Sequence, residues 1–238
     1  MAHMTLDELT SQLSAVYGDG LRAVVLFGSA ARGDRVTRNA NLNVLVLVDA
    51  IRMEHLRREA AVAAAWRESG NPPPLTLTVE EWRGSADIFP MEYADILAHH
   101  RVLRGTLPMD GIAVSMRDLR LQLEHEAMSK LLRLRHAVLA AGGDDKAHRE
   151  LMESSISSFM TLLRALARLR GLDPATDSEA LLTQLMGQVP VNLKPFERVL
   201  RFSRGVDKLD KNAVLDTVTE YLAAADSLAR YADTFDGE

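Results

Sequence analysis

The hydrophobic positions of this chain follow two different patterns. In the first half, the continuous apolar runs at Leu21–Phe27 and 41–48 are typical of strands buried on both faces. A third run, 75–79, alternates with period two, which also predicts a strand. From Ser115 onward the apolar residues keep spacings of three and four, which predict helices. The pattern therefore predicts an α/β domain over residues 1–114, with a short mixed sheet and flanking helices, and an all-α helical bundle domain over 115–238.

Helix start signals support this division. Thr5 and Glu8 form a capping-box pattern ahead of the first apolar face, and Ser115 and Asp144 stand where the two longest helices are expected to begin. A helix over residues 53–69 is expected to end before the prolines at 72–74. Its predicted inner face comprises Leu56, Ala60, Ala63 and Trp66. A short edge strand is expected at 112–114, and further helices are expected near 178–187, 193–203 and 212–231.

Composition excludes several classes of protein. Hydrophobic residues make up 47% of the 238 residues and charged residues 26%, which is an ordinary globular balance. No apolar run is long enough to span a membrane, and no signal-peptide pattern opens the chain, so we expect a cytoplasmic protein. The absence of cysteine excludes disulfides and thiolate metal sites. The net charge of −5 makes nucleic acid an unfavourable partner.

Candidate chemistry lies between the two apolar runs. Gly28 and Ser29 follow the first run, eleven residues separate them from Asn41, and Asn41-Leu42-Asn43 opens the second run. A helix that begins directly after a strand points free backbone N–H groups at the turn, where phosphate binds readily. Glycine at position 28 allows a phosphate to approach the backbone, and the Ser29 hydroxyl can donate to it. The alternative is a plain tight turn with a helix-capping serine.

This arrangement resembles the nucleotidyltransferase fold of the DNA polymerase beta superfamily, over about residues 20–105. The mark of that family is Gly-Ser at the first turn and, after a gap of similar size, Asp-x-Asp at the next strand. The resemblance implies that Gly28 and Ser29 contact the triphosphate of a nucleotide. The family's aspartates hold Mg²⁺, and the positions that match them carry Asn41 and Asn43. A third acid on a later strand would match Thr76.

The three matching positions therefore lack the charge that binds Mg²⁺. Each missing carboxylate removes an attraction of about 4 kcal/mol per unit charge at 4 Å, at an effective dielectric constant near 20. An amide oxygen binds Mg²⁺ weakly and is no general base near neutral pH. The threonine at position 76 favours natural degeneration over an engineered double substitution at Asn41 and Asn43. We therefore assign no metal ligand, and Mg²⁺ is expected only if the protein is an active enzyme.

Cationic residues near the turn are further candidates. Arg32, Arg35 and Arg38 can supply positive charge where a metal no longer does, or can be solvated loop residues. Weaker candidates, each with a more ordinary interpretation, are a basic face of Lys130, Arg133, Arg164 and Arg168, the pair Arg120 and His125, the pair His99 and His100, and the acids Glu92 and Asp95.

Three functions follow from these observations. The first is a catalytically degenerate nucleotidyltransferase-like protein that binds a nucleotide or another phosphorylated ligand at the Gly28-Ser29 turn. The second is an active nucleotidyltransferase that transfers a nucleoside monophosphate to a small molecule such as an aminoglycoside, which requires Glu80, Glu81 or Glu92 to replace the missing acids. The third is a structural or regulatory module that forms a homodimer through its helical half.

Overall fold

The computed structural model describes residues 3–34 and 41–235, which divide into two compact units. The first unit contains residues 3–33 and 41–114, and the second contains Asp34 and the residues from Ser115 onward. Asp34 therefore groups with the helical unit, although it lies within the range predicted for the α/β domain. Arg35 and Arg38, two of the candidate cations, lie outside the described residues.

The first unit is built on a four-stranded mixed sheet with the strand order β3-β2-β1-β4. Strand β1 (Leu21–Phe27) pairs antiparallel with β2 (Asn43–Val48) and with β4 (His100–Gly105). Strand β3 (Leu75–Thr78) pairs parallel with β2. The two continuous apolar runs thus form the two central strands, as their pattern predicts.

Helices cover both faces of this sheet. The helices of the first unit are α1 (Leu6–Tyr17), α2 (Ser29–Arg32), α3 (Met53–Glu68), α4 (Val79–Gly84) and α5 (Pro90–Ala98). Residues of α1 and α3 pack with Val24, Val44 and Val46 on one face, and residues of α4 and α5 pack with Val25 and Leu45 on the other. Because side chains alternate along a strand, a run without polar interruptions supplies both cores.

The predicted cap of α1 is confirmed, because Thr5 and Glu8 form a reciprocal capping box. The predicted inner face of α3 is confirmed at Trp66 and wrong at Leu56 and Ala60, which are exposed, while Ala63 is half-buried. Glu59 and Val62 face the core beside Trp66, and a buried glutamate interrupts the apolar pattern that would have indicated this face. The predicted edge strand at 112–114 is also wrong, and strand β4 forms that edge of the sheet instead.

The described part of the second unit, apart from Asp34, is helical. Its helices are α6 (Met116–Ala141), α7 (Asp145–Leu169), α8 (Ser178–Leu185), α9 (Lys194–Ser203) and α10 (Lys211–Asp233). Ser115 and Asp144 cap α6 and α7, as predicted. The rings of Phe159, Phe196 and Tyr221 meet in the core with centroids 5.3–5.5 Å apart. Burial raises the pKa of Tyr221.

The structure therefore has an α/β unit followed by a helical unit. Among the described residues, no helix has both the length and the apolar character that crossing a membrane requires.

Candidate functional site

The Gly28-Ser29 turn lies where β1 ends and α2 begins. Gly28 has φ 77° and ψ −154°, a backbone conformation that other residues rarely adopt. The Arg32 N–H donates to the Gly28 carbonyl oxygen at 3.2 Å, which closes the first turn of α2. The N–H groups at the start of such a turn have no partner within the helix. The half-buried turn thus presents a short row of backbone donors beside the Ser29 hydroxyl.

Asn43 lies against this turn. It is the first residue of β2 and pairs with Phe27 of β1 in the antiparallel ladder. Phe27 directly precedes Gly28 in the chain. A Cβ atom on Gly28 would come within 2.9 Å of the Asn43 Nδ2 atom. The strand pairing therefore brings together two residues that the sequence motif separates, and a larger residue at position 28 would displace the amide from this position.

Asn41 and Thr76 occupy different places from Asn43. Asn41 precedes the strand and is exposed. Thr76 pairs with Val46, whose side chain belongs to the core under α1 and α3. Asn43 has the same parity as Leu45, which packs in the opposite core. Thr76 therefore lies on the other face of the sheet from Asn43, and the structure does not bring these two residues together.

Thr76 has a structural partner of its own. Its hydroxyl donates to Glu59 Oε1 at 2.6 Å, and the Tyr17 hydroxyl donates to the other oxygen of that carboxylate. Burial raises the pKa of Tyr17, and the hydrogen bond to Glu59 adds to this effect. These contacts join α1, α3 and β3 beneath the sheet.

Arg32, the predicted phosphate-binding cation, ends α2 and bonds to a carboxylate. Its Nη1 atom donates to Asp95 Oδ2 at 2.9 Å, and the two side chains are only 6% and 10% exposed. The Nε atom of Arg32 is also buried and has no hydrogen-bond partner among the described residues. Asp95, a minor candidate from sequence, therefore neutralises the cation of the turn from α5.

The most extensive buried polar cluster was missed by sequence reasoning. In the helical unit, the fully buried carboxylate of Asp34 accepts hydrogen bonds from Arg164 Nη2 and Arg204 Nη2, both at 2.8 Å. The Ser178 hydroxyl donates to it at 2.6 Å. Because Arg164 follows 130 residues later in the chain, no local spacing signals this cluster.

The charges of this cluster support one another. Burial works against the charged form of Arg204, but its hydrogen bond to Asp177 and the charges of Asp177 and Asp34 outweigh burial, and its pKa is raised. Arg164 is 1% exposed and also donates to the carbonyl oxygens of residues 175 and 176. The prediction that Arg164 contributes to an exposed basic face is therefore wrong.

The remaining candidates are dispersed. Glu81 accepts from Thr78 N and Oγ1 in the capping box of α4, and Glu80 and Glu92 are exposed. The Nδ1 atom of His100 lies 2.8 Å from the Ile96 carbonyl oxygen. Other candidates pair along α6, where Arg120 contacts Glu124 at 3.1 Å and Lys130 contacts Glu126 at 2.9 Å. Within residues 3–34 and 41–235, no group of three or more His, Asp and Glu side chains is arranged to hold a metal ion.

Comparison with known proteins adds no relative: no protein-family model matches the chain, and no curated protein matches it. The comparisons therefore indicate no ligand for the turn, and any ligand has to be inferred from the residues of the turn.

Proposed function

We propose that the protein binds the phosphate groups of a nucleotide, or of another phosphorylated small molecule, at the Gly28-Ser29 turn without a metal ion. In this proposal the protein is a nucleotidyltransferase-like binding protein that no longer transfers nucleotides. The observation that carries the proposal is the Asn43 amide, which packs 2.9 Å from the position of a Cβ on Gly28.

The physical basis is the charge beside the turn. A carboxylate at position 43 would repel a phosphate unless Mg²⁺ stood between them, because two like charges 4 Å apart repel by about 4 kcal/mol at an effective dielectric constant near 20. The Asn43 amide is neutral and its NH₂ group can donate to a phosphate oxygen. Together with the backbone N–H groups at the start of α2, it supplies donors that need no metal.

The ion pair of Arg32 and Asp95 supports the same proposal. A buried donor without a hydrogen-bond partner costs about 1–3 kcal/mol, and Arg32 Nε is such a donor among the described residues. Asp95 fixes the guanidinium at the end of α2 and neutralises its charge, so what Arg32 can offer a ligand is the buried Nε–H donor. Arg32 thus supplies a positioned donor in a turn whose matching metal positions carry amides.

The test is a thermal-shift panel of ATP, GTP, CTP, UTP and inorganic tripolyphosphate, each measured with EDTA and again with Mg²⁺. A ligand at 100 times its Kd adds about 2.7 kcal/mol of stability, which is a clear shift in Tm. We expect at least one phosphorylated ligand to stabilise the protein to the same extent with EDTA.

A second assay separates binding from catalysis. The same protein is incubated with each nucleoside triphosphate, Mg²⁺ and aminoglycoside acceptors, and pyrophosphate release is followed. We expect none. Release of pyrophosphate, or stabilisation that requires Mg²⁺, contradicts the proposal and supports an active transferase.

A further inference from the structure

Helix α6 has apolar residues on two opposite faces. One face is buried within the helical unit and includes Leu119, Leu123, Ala127, Leu131 and Leu134. The other carries four large apolar side chains in contact with solvent, here called the outer stripe: Leu121 (47% exposed), Met128 (45%), Leu132 (45%) and Leu139 (78%).

The outer stripe is narrow, and His125 and Arg135 lie on the turns between its members. At 100° per residue, its four members fall within about 40° of one another, on the side of the helix opposite Leu123. At 1.5 Å per residue, the stripe from Leu121 to Leu139 is about 27 Å long. Single exposed apolar residues are common on protein surfaces, but an aligned row of this length is a candidate for an interaction surface.

The spacing of the outer stripe identifies what covers it. Its members are separated by seven, four and seven residues, so the order of the spacings is the same in both directions along the helix. A second copy of α6, turned antiparallel by a two-fold axis level with residue 130, therefore places Leu121 opposite Leu139 and Met128 opposite Leu132. Such a self-complementary surface is what a closed symmetric dimer requires. These spacings fit the four- and three-residue alternation of packed helices, with His125 and Arg135 at the intervening positions.

Charges beside the outer stripe match the same arrangement. Glu124 and Arg135 lie on one flank of the stripe, and in an antiparallel pair that flank meets its own copy. Glu124 of one chain is then level with Arg135 of the other, within about one residue. The two side chains are 36% and 47% exposed, so both can reach across while they keep their partners Arg120 and Asp226. A parallel pair would instead bring Leu121 against Leu121 and separate Glu124 from Arg135.

We propose that α6 is the interface of an antiparallel homodimer, formed by the outer stripe of two chains. The dimer does not depend on phosphate binding at the Gly28 turn, and the experiments below need no ligand.

The first experiment measures the mass in solution by sedimentation and light scattering over a concentration series. We expect a dimer that dissociates on dilution. Leu132→Glu, near the centre of the stripe, should raise the dimer Kd by about 30-fold or more, as is typical of a central interface residue. The control is Leu215→Glu on α10, a more exposed leucine (60%) outside the stripe, which should leave the mass unchanged.

The second experiment uses the absence of cysteine in the chain. Variants Leu121→Cys and Leu139→Cys are oxidised separately and as a mixture. We expect a covalent dimer from the mixture and none from either variant alone, because the two copies of residue 121 are about 27 Å apart along the axis.

These outcomes decide the proposal. A monomer at every concentration, or a dimer that Leu132→Glu leaves intact, overturns it. Cross-linking of Leu121→Cys with itself overturns the antiparallel arrangement. Circular dichroism confirms that each variant is folded before its mass is interpreted.

Discussion

Two polar regions that are six residues apart in the sequence are built in opposite ways. The turn at Gly28 brings backbone N–H groups and the Asn43 amide together. At Asp34, in the helical unit, a carboxylate is buried between Arg164 and Arg204. Buried charge in the second region is neutralised by fixed partners and therefore holds structure, whereas the donors of the first region are neutral amides, which we propose that a phosphorylated ligand uses.

Removing one arginine from the Asp34 cluster should have the largest effect. Arg164→Ala leaves the buried carboxylate of Asp34 with one arginine, and we expect a loss of about 3–5 kcal/mol in the free energy of unfolding. Urea denaturation followed by circular dichroism measures it. Arg133→Ala, an exposed arginine on α6, is the control and should change stability by less than about 0.5 kcal/mol. Equal effects of the two variants would mean that the cluster does not hold the helical unit.

Thr76→Val tests whether Thr76 is structural. It removes the donor to Glu59 and leaves one oxygen of a buried carboxylate without that bond, so we expect a loss of about 1.5–3 kcal/mol in stability. The Kd of a phosphorylated ligand should not change, because Thr76 lies on the other face of the sheet from Asn43. Thr219→Val, on the exposed side of α10, is the matched control. Weaker ligand binding by a Thr76→Val protein of unchanged stability would show that Thr76 belongs to the binding site.

Gly28→Ala tests the geometry of the turn. Alanine at φ 77° is strained and its Cβ meets the Asn43 amide, so we expect a loss of about 1–3 kcal/mol in stability together with weaker ligand binding. Gly143→Ala, where a Cβ meets no other atom within 4 Å and φ is not positive, should be close to neutral. A Gly28→Ala protein as stable as the control would show that the amide and the turn are not tightly packed.

Ser29→Ala should have the smallest effect on stability and a selective effect on binding. Loss of one hydroxyl donor to a charged phosphate is expected to weaken binding by about 1.5 kcal/mol, roughly 10-fold in Kd. Ser14→Ala, which loses a hydroxyl on α1, is the control. A phosphorylated ligand that binds the Ser29→Ala variant with unchanged affinity lies elsewhere on the protein.

Sequence reasoning predicted the elements that local patterns determine. The apolar runs gave the central strands, and the capping residues Thr5, Ser115 and Asp144 gave the starts of α1, α6 and α7. It missed what depends on distant partners. Glu59 gave no signal because its partners Tyr17 and Thr76 lie on other elements, and Asp34 gave none because Arg164 and Arg204 come so much later.

The motif at the turn was predictable only in part. Gly28, Ser29 and Asn43 could be read from the strand–glycine–strand pattern, and the antiparallel pairing of β1 with β2 brings Gly28 and Asn43 together. The partner of Arg32 could not be predicted from the sequence, because Asp95 lies on α5 and no short spacing connects the two residues. The face on which Thr76 lies depends on the register of β3 against β2, and a shift of one residue would reverse it.

The central claim is that the amide at position 43 makes phosphate binding independent of metal. The most direct test is calorimetric titration of the best-stabilising phosphorylated ligand into the wild-type protein and into Asn43→Asp, first with EDTA and then with Mg²⁺. Asn212→Asp, the same change at an exposed position of α10, controls for net charge. We expect the wild type to bind equally well in both conditions. We expect Asn43→Asp to lose about 4 kcal/mol of binding, roughly 1,000-fold in Kd, with EDTA and to recover it with Mg²⁺. Wild-type binding that requires Mg²⁺, or an Asn43→Asp variant that binds like the wild type with EDTA, would contradict the claim.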